Sequence, residues 1–255
     1  MDEPTIAAAD PSAAHARLRR LHALLFYPVL VFAGLTNSFF VADSGLYRFL
    51  FPGSVLCLVL YFAYLLRIST PFLRMLWLIG MFMCAFGENF LVYALDMYNF
   101  SPTLHPPYAI PPYVILGHGY ALWTAYVIGD WLSTGLGARR ALGLAIAVGV
   151  LLFVGRLVAY RDVWGASWIV FAALIFLGTP RAEHRLFYAC TFSLCTLLEI
   201  IGVALHGWDW HASTYYLDTR AWPMANPPAA VGAVYVTGDF LTLLLMRKFG
   251  LDDHA

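Results

Sequence analysis

The chain has 255 residues, of which 61% are hydrophobic and only 12% charged, and its formal net charge is zero. Ordinary soluble domains carry about 25% charged residues, so this composition excludes a sizeable soluble domain. The absence of a basic balance argues against nucleic acid as a partner.

Residues 1–20 are polar and alanine-rich and read as a disordered cytoplasmic tail. RLRRLHALLFYPVLVF (17–32) follows, a basic flank before an apolar run. No small-residue cleavage site comes after it, so it reads as a first spanning helix rather than a removed signal. Apolar runs of the length a bilayer core requires, about 20 residues, then recur. They place eight spans at about 22–42, 47–66, 72–95, 111–133, 140–160, 163–179, 185–206 and 225–247. Turn-formers separate them at Asp43-Ser44-Gly45, Ser69-Thr70-Pro71, Gly135-Leu136-Gly137 and Thr179-Pro180. Residues 249–255 read as a second cytoplasmic tail. Most basic residues, among them Arg17, Arg19, Arg20, Arg67, Arg74, Arg139, Arg140, Arg247 and Lys248, fall on one side of these spans. By the positive-inside rule both termini are cytoplasmic, in a membrane of the bacterial inner type. The long segments 96–110 and 207–224 then face outward. Cys57, Cys84, Cys190 and Cys195 lie in apolar runs and form no Cys-x-x-Cys pair, so neither a disulfide framework nor a metal site is expected, and no cofactor.

One phrase occurs twice. ALDMYNF (94–100) ends the third span and ALHGWDW (204–210) ends the seventh. Each precedes an outward segment and a proline pair, Pro111-Pro112 and Pro227-Pro228. Each following span carries a second echo, YVIGDWL from Tyr126 and YVTGDFL from Tyr235. LVFAG (30–34) and LLFVG (151–155) link the first and fifth spans. The expected fold class is therefore all-α: a polytopic membrane bundle of about eight transmembrane helices, built as two four-helix repeats in the same orientation, 21–138 and 139–248.

A rise of about 1.5 Å per residue places five polar side chains at one level, roughly 21–24 Å from the cytoplasmic ends of their spans. They are Asn37, Glu88, His118, Arg156 and Glu199. Ionisable groups at such depth cost about 2.5–3.5 kcal/mol or more if they face lipid, so they should face one another. Asp239 lies inside the last span and is a further candidate. Asp130, near the basic residues at the end of its span, reads as structural. A carboxyl group in an apolar pocket retains its proton and can serve as a general acid. The pattern suits proton-initiated chemistry on a membrane lipid or isoprenoid: cyclisation, hydration or isomerisation. Glu88, Glu199, Asp239, His118 and Arg156 are the candidate catalytic residues, with Arg156 expected to pair with one glutamate. Asn37, Tyr93, Tyr98, Trp123, Tyr126, Trp208, Trp210 and Tyr235 are the candidate substrate-binding residues, the aromatic ones able to shield a cation.

The EIIG stretch at 199–202, GWDW at 207–210 and Pro227-Pro228 resemble the bacterial carotenoid-hydratase family, in which a helix-borne Glu-x-x-Gly precedes an aromatic-rich loop and a Pro-containing helix start. The buried acids also resemble those of the small integral-membrane terpene cyclases. Both resemblances imply an isoprenoid substrate, with Glu88, Glu199 and Asp239 as acids. The first half departs from the motif, with Leu91 where Glu-x-x-Gly has glycine. Two other classes remain open on the sequence. Intramembrane carboxylates and repeats also suit a proton-coupled transporter of a small organic solute. An Arg156–Glu pair that only locks helices together suits a non-catalytic subunit of a membrane complex.

Overall fold

A computed structural model describes residues 11–37, 47–100, 110, 112–210 and 225–251. The segment expected as the first span is two helices, α1 (Pro11–Leu24) and α2 (Phe26–Asn37). They break at Leu25, and Pro28 sits in the first turn of α2, where a missing N–H costs nothing. Residues 11–20, expected as disordered tail, belong to α1. Arg19 holds them down by donating from Nη1 to the Ile68 carbonyl at 2.9 Å. Next come α3 (Tyr47–Ile68) and α4 (Pro71–Asn89), the latter opened by Thr70, whose hydroxyl accepts from the Leu73 amide, and by Pro71 at the first helical position. A π-helical turn, Phe90–Ala94, continues α4.

α5 (Pro112–Leu136) and α6 (Ala138–Tyr160) are joined through Gly137, whose φ of 79° suits glycine. α7 (Val163–Ser167) and α8 (Ile169–Gly178) divide at Trp168 the segment expected as the sixth span. α9 (Ala182–Ala204) and α10 (Gly232–Lys248) complete the helices. α10 starts later than the expected residue 225, because Pro227-Pro228 leads into a turn closed by Val231 N–H to Pro228 O at 3.1 Å.

Four helices close a ring: α4 packs on α5 and α10, and α9 packs on the same two. Gly80 and Gly119 let α4 and α5 approach; a Cβ at Gly80 would sit 2.8 Å from a Leu122 methyl, and one at Gly119 would meet the Trp77 ring. α1, α2 and α3 pack on α5, while α6 packs on α9 and α8 on α10. Among the described residues three helical segments, Pro71–Ala94, Ala138–Tyr160 and Ala182–Ala204, are long and apolar enough to cross a membrane. Pro52–Ile68 and Val163–Gly178 are shorter apolar helices. Large apolar side chains such as Phe82, Phe86, Leu151, Val158 and Leu177 point outward, as they do when the surrounding solvent is lipid.

The molecule is mostly helical, with one short two-stranded ladder among the described residues. The two copies of the repeated phrase each form a three-residue strand, β1 (Tyr98–Phe100) and β2 (Trp208–Trp210), and these pair antiparallel. The register is Tyr98↔Trp210, Asn99↔Asp209 and Phe100↔Trp208. Asn99 and Asp209 hold the same place in the two phrases and lie opposite each other, so the ladder is centred on matching residues. Asp96 and His206, also matching, both adopt a left-handed backbone, with φ of 50° and 56°. The segment from Glu88 to Ala94 is one residue longer than that from Glu199 to Ala204, and the π turn absorbs the extra residue. Leu95 N–H therefore reaches back five residues to Phe90 O, where Leu205 N–H reaches four to Ile201 O. Likewise Met97 N–H reaches six residues to Leu91 O, and Gly207 N–H five to Gly202 O.

Candidate functional site

Glu88 ends the buried stripe of α4 that includes Leu73, Leu76, Trp77, Gly80 and Cys84. Only 6% of it is exposed. Its Oε2 accepts from the Tyr98 hydroxyl, which β1 carries back over the helix end. Its Oε1 lies 3.4 Å from Nε2 of His118 on α5. Nδ1 of His118 faces the Val114 carbonyl at 3.0 Å. A carbonyl can only accept, so Nδ1 carries the proton of the neutral ring and Nε2 turns its lone pair toward Glu88.

Glu199 occupies the corresponding position on α9 and is 3% exposed. Oε2 accepts from Nε1 of Trp208 at 2.7 Å and from Nε1 of Trp210 at 3.0 Å. Oε1 accepts from the Tyr235 hydroxyl on α10. Three donors meet one carboxyl group, and none of them can take a proton from it. The Glu-x-x-Gly spacing has a steric cause: any Cβ at Gly202 would overlap the Trp208 indole, which crosses the helix there to reach Glu199. Leu91 is tolerated in the other half, where the shorter Tyr98 takes the place of Trp208.

The two sets of residues meet in the ring. The His118 and Tyr235 rings stack at 5.0 Å with an interplanar angle of 8°. The contacts thus run without a break from Glu88 through His118 and Tyr235 to Glu199. Two cavities of about 80 Å³ each share Glu88, Tyr98, His118, Glu199 and Tyr235 as lining. The first continues between apolar residues of α2 and α3, among them Phe26, Leu30, Leu58 and Phe62. The second adds Cys84 and Asp239. Asp239 is 1% exposed and accepts from the Thr191 hydroxyl at 2.6 Å.

The other expected residues lie elsewhere. Arg156 is buried but is not paired with a glutamate. It donates to the Pro227 carbonyl, and its guanidinium lies 4.8 Å from the Tyr160 ring centroid. The face of α6 that carries it turns toward the proline pair. Tyr93 is 60% exposed, on the outer face of the π turn. Trp123 is fully buried outside the lining of both cavities, donating to Ser69 Oγ at 2.7 Å. Tyr126 packs between Phe72 and Phe187. The side chain of Asn37 lies outside the described residues. Asp130 is exposed, unlike its echo Asp239.

Two residues not singled out in the sequence matter to the geometry. Asp162, fully buried, accepts from the Gly165 and Ala229 amides at 2.7 Å each. It ties the start of α7 to the turn before α10; its place as helix cap ahead of Val-Trp-Gly was the available signal. Cys84 lies one helical turn before Glu88, a spacing visible in the sequence. The ligand-capable atoms of Cys84, Glu88 and His118 lie within 4.8 Å of one another. No family model, curated protein or solved structure matches the chain.

Proposed function

We propose that this protein is an integral-membrane enzyme that performs acid-initiated chemistry on a hydrophobic lipid or isoprenoid substrate. The observation that carries the reading is two buried carboxyl groups, differently equipped, on one cavity that continues into an apolar slot. Among the described residues every partner of Glu199 donates, so its oxygens act as acceptors. Between Glu88 and His118 a proton can sit on either side. In the proposed reaction the Glu88–His118 pair gives a proton to an alkene or epoxide at the cavity. The carbocation faces the Glu199 carboxylate and the aromatic faces of Phe26, Phe62 and Trp208. A neighbouring C–H then returns a proton to the site, giving cyclisation or isomerisation, or a water adds and returns one, giving hydration. Either way the proton balance closes.

A space of about 80 Å³ is well above the minimum of about 10–15 Å³ that holds a single water. It admits the reacting end of a chain, while the remainder lies between α2 and α3 toward lipid. The fuller architecture belongs to the same proposal: eight spans, two repeats in one orientation, both termini cytoplasmic, in a bacterial-type inner membrane. The ladder centred on Asn99 and Asp209, and the matching left-handed residues Asp96 and His206, support a duplicated unit with a twofold axis between the halves. The carotenoid-hydratase and terpene-cyclase resemblances fit this reading through Glu199, Gly202 and the indoles that Gly202 admits.

The test is the lipid extract of isoprenoid-producing cells that express the protein, read by mass spectrometry. A product of unchanged mass, or of one added water, that is lost in Glu88→Gln and Glu199→Gln supports the proposal. An unchanged extract together with proton-coupled solute uptake into proteoliposomes replaces it with transport. An unchanged extract with fixed co-purifying partners replaces it with a subunit role.

A further inference from the structure

We propose that Cys84, Glu88 and His118 form a binding site for a divalent transition-metal ion of the zinc class. The three residues come from two helices of the ring, Cys84 and Glu88 one turn apart on α4 and His118 across from them on α5. Their ligand atoms, a sulfur, a carboxylate oxygen and an imidazole nitrogen, all fall within 4.8 Å of one another. Tetrahedral bonds of 2.0–2.3 Å put neighbouring ligand atoms about 3.4–3.6 Å apart. Glu88 Oε1 and His118 Nε2 already stand at 3.4 Å, and an inward turn of the Cys84 thiol by about 1 Å completes the set.

Three further features suit a cation. Nδ1 of His118 is held by the Val114 carbonyl, the outer contact that fixes a metal-binding histidine with its other nitrogen free. The second carboxylate oxygen of Glu88 is held by the Tyr98 hydroxyl, which fixes the ligand's direction. A thiolate and a carboxylate together cancel the charge of a divalent ion, so the occupied site is neutral, which lowers the cost of burying it. The mixture of sulfur, nitrogen and oxygen donors suits zinc or cobalt rather than magnesium or calcium. Three protein ligands leave a fourth position, as in zinc sites that are not purely structural. All three residues line the second cavity, which provides the space for it.

Ligation requires the thiol and carboxyl groups to give up their protons. The metal and the proton of the proposed reaction are therefore alternative occupants of the same lone pairs, and metal uptake silences that reaction. The site does not depend on the reaction, because its test reads the ion and not turnover.

The test uses full-length protein in detergent, stripped with a chelator and dialysed against Zn²⁺ or Co²⁺. We expect one bound equivalent, proton release on uptake, and a sulfur-to-cobalt charge-transfer band with Co²⁺. Cys84→Ser should abolish the band and weaken binding at least tenfold, as should His118→Gln, with size-exclusion profiles unchanged. Cys190→Ser should leave both untouched. Glu199→Gln should retain the metal while losing turnover, which separates the two proposals. Failure to bind a stoichiometric ion, a cobalt complex without a thiolate band, or a Cys84→Ser protein that binds like the parent would each overturn the site. If the variants misfold, an unaltered Co²⁺ band after alkylation of Cys84 in the parent protein would overturn it as well.

Discussion

Glu88 and Glu199 occupy matching places on α4 and α9, yet their neighbours differ. Each takes a hydrogen bond from the first residue of a returning strand, Tyr98 or Trp208, and each faces a side chain from the next ring helix, His118 or Tyr235. Glu199 has a third donor, Trp210, and a glycine that makes room for an indole. Glu88 instead faces a nitrogen that can accept a proton, while a cysteine stands one helical turn before each glutamate, Cys84 and Cys195. Two buried carboxyl groups in similar backbone surroundings thus differ in their partners: one meets only donors, and the other faces an imidazole nitrogen. The side chains that make the difference are few: His118 on α5 in the place that Tyr235 takes on α10, although the sequence echo matches Tyr235 with Tyr126; Phe100 against Trp210; and Leu91 against Gly202.

The largest effects should come from breaking the comparison at its centre. Glu88→Gln and Glu199→Gln should each lower turnover by about 10²–10⁴-fold, the usual contribution of a positioned acid or base. The check is product formation in the lipid extract, with folding followed by thermal unfolding in detergent. A Gln variant at full turnover would remove that glutamate from the chemistry. Next is Gly202→Val, which forces the Trp208 ring off α9. Overpacking of this kind costs about 3 kcal/mol at its upper end. Leu91→Val, at the corresponding turn of the other half, should cost less than about 1.5 kcal/mol. Equal losses in melting temperature would contradict the steric account of the glycine.

Arg156→Met should cost about 2 kcal/mol through the lost charged hydrogen bond to the Pro227 carbonyl. It should do so with little change in metal binding, since Arg156 does not touch Glu88. The smallest effect should follow from Trp210→Phe, about 1 kcal/mol, because Trp208 and Tyr235 still hold Glu199. The same substitution should leave Co²⁺ binding at Cys84 unaltered, sharpening the division between the two halves.

How much of this was legible in the sequence varies with the length scale of the signal. Apolar runs placed most helices within a few residues, because burial in lipid acts over about 20 residues at a time. The start of α1 was missed because Arg19 is anchored by the Ile68 carbonyl, a tertiary contact that composition does not report. Repetition of ALDMYNF and ALHGWDW was plain, but their pairing was not, since three residues are too few for the alternation that marks a strand. Depth along a helix was also readable, and it brought out Glu88, His118 and Glu199. Rotation about the helix axis was not, which is why Arg156 turns to Pro227 and Tyr93 to the outside. Tyr93 follows Glu88 by five residues, about 140° round a helix even before the π turn shifts the phase. Cys84 was visible as the residue one turn before Glu88, but its meaning needed His118 from α5.

The central claim is that the Glu88 and Glu199 side chains act as one coupled unit across the His118–Tyr235 stack. Infrared difference spectroscopy of the carboxyl C=O bands, recorded against pH in the parent and in each Gln variant, tests it most directly. Glu199→Gln should move the titration of the Glu88 band, and Glu88→Gln should move that of Glu199. Two bands that each titrate identically with and without the other carboxyl group would contradict it.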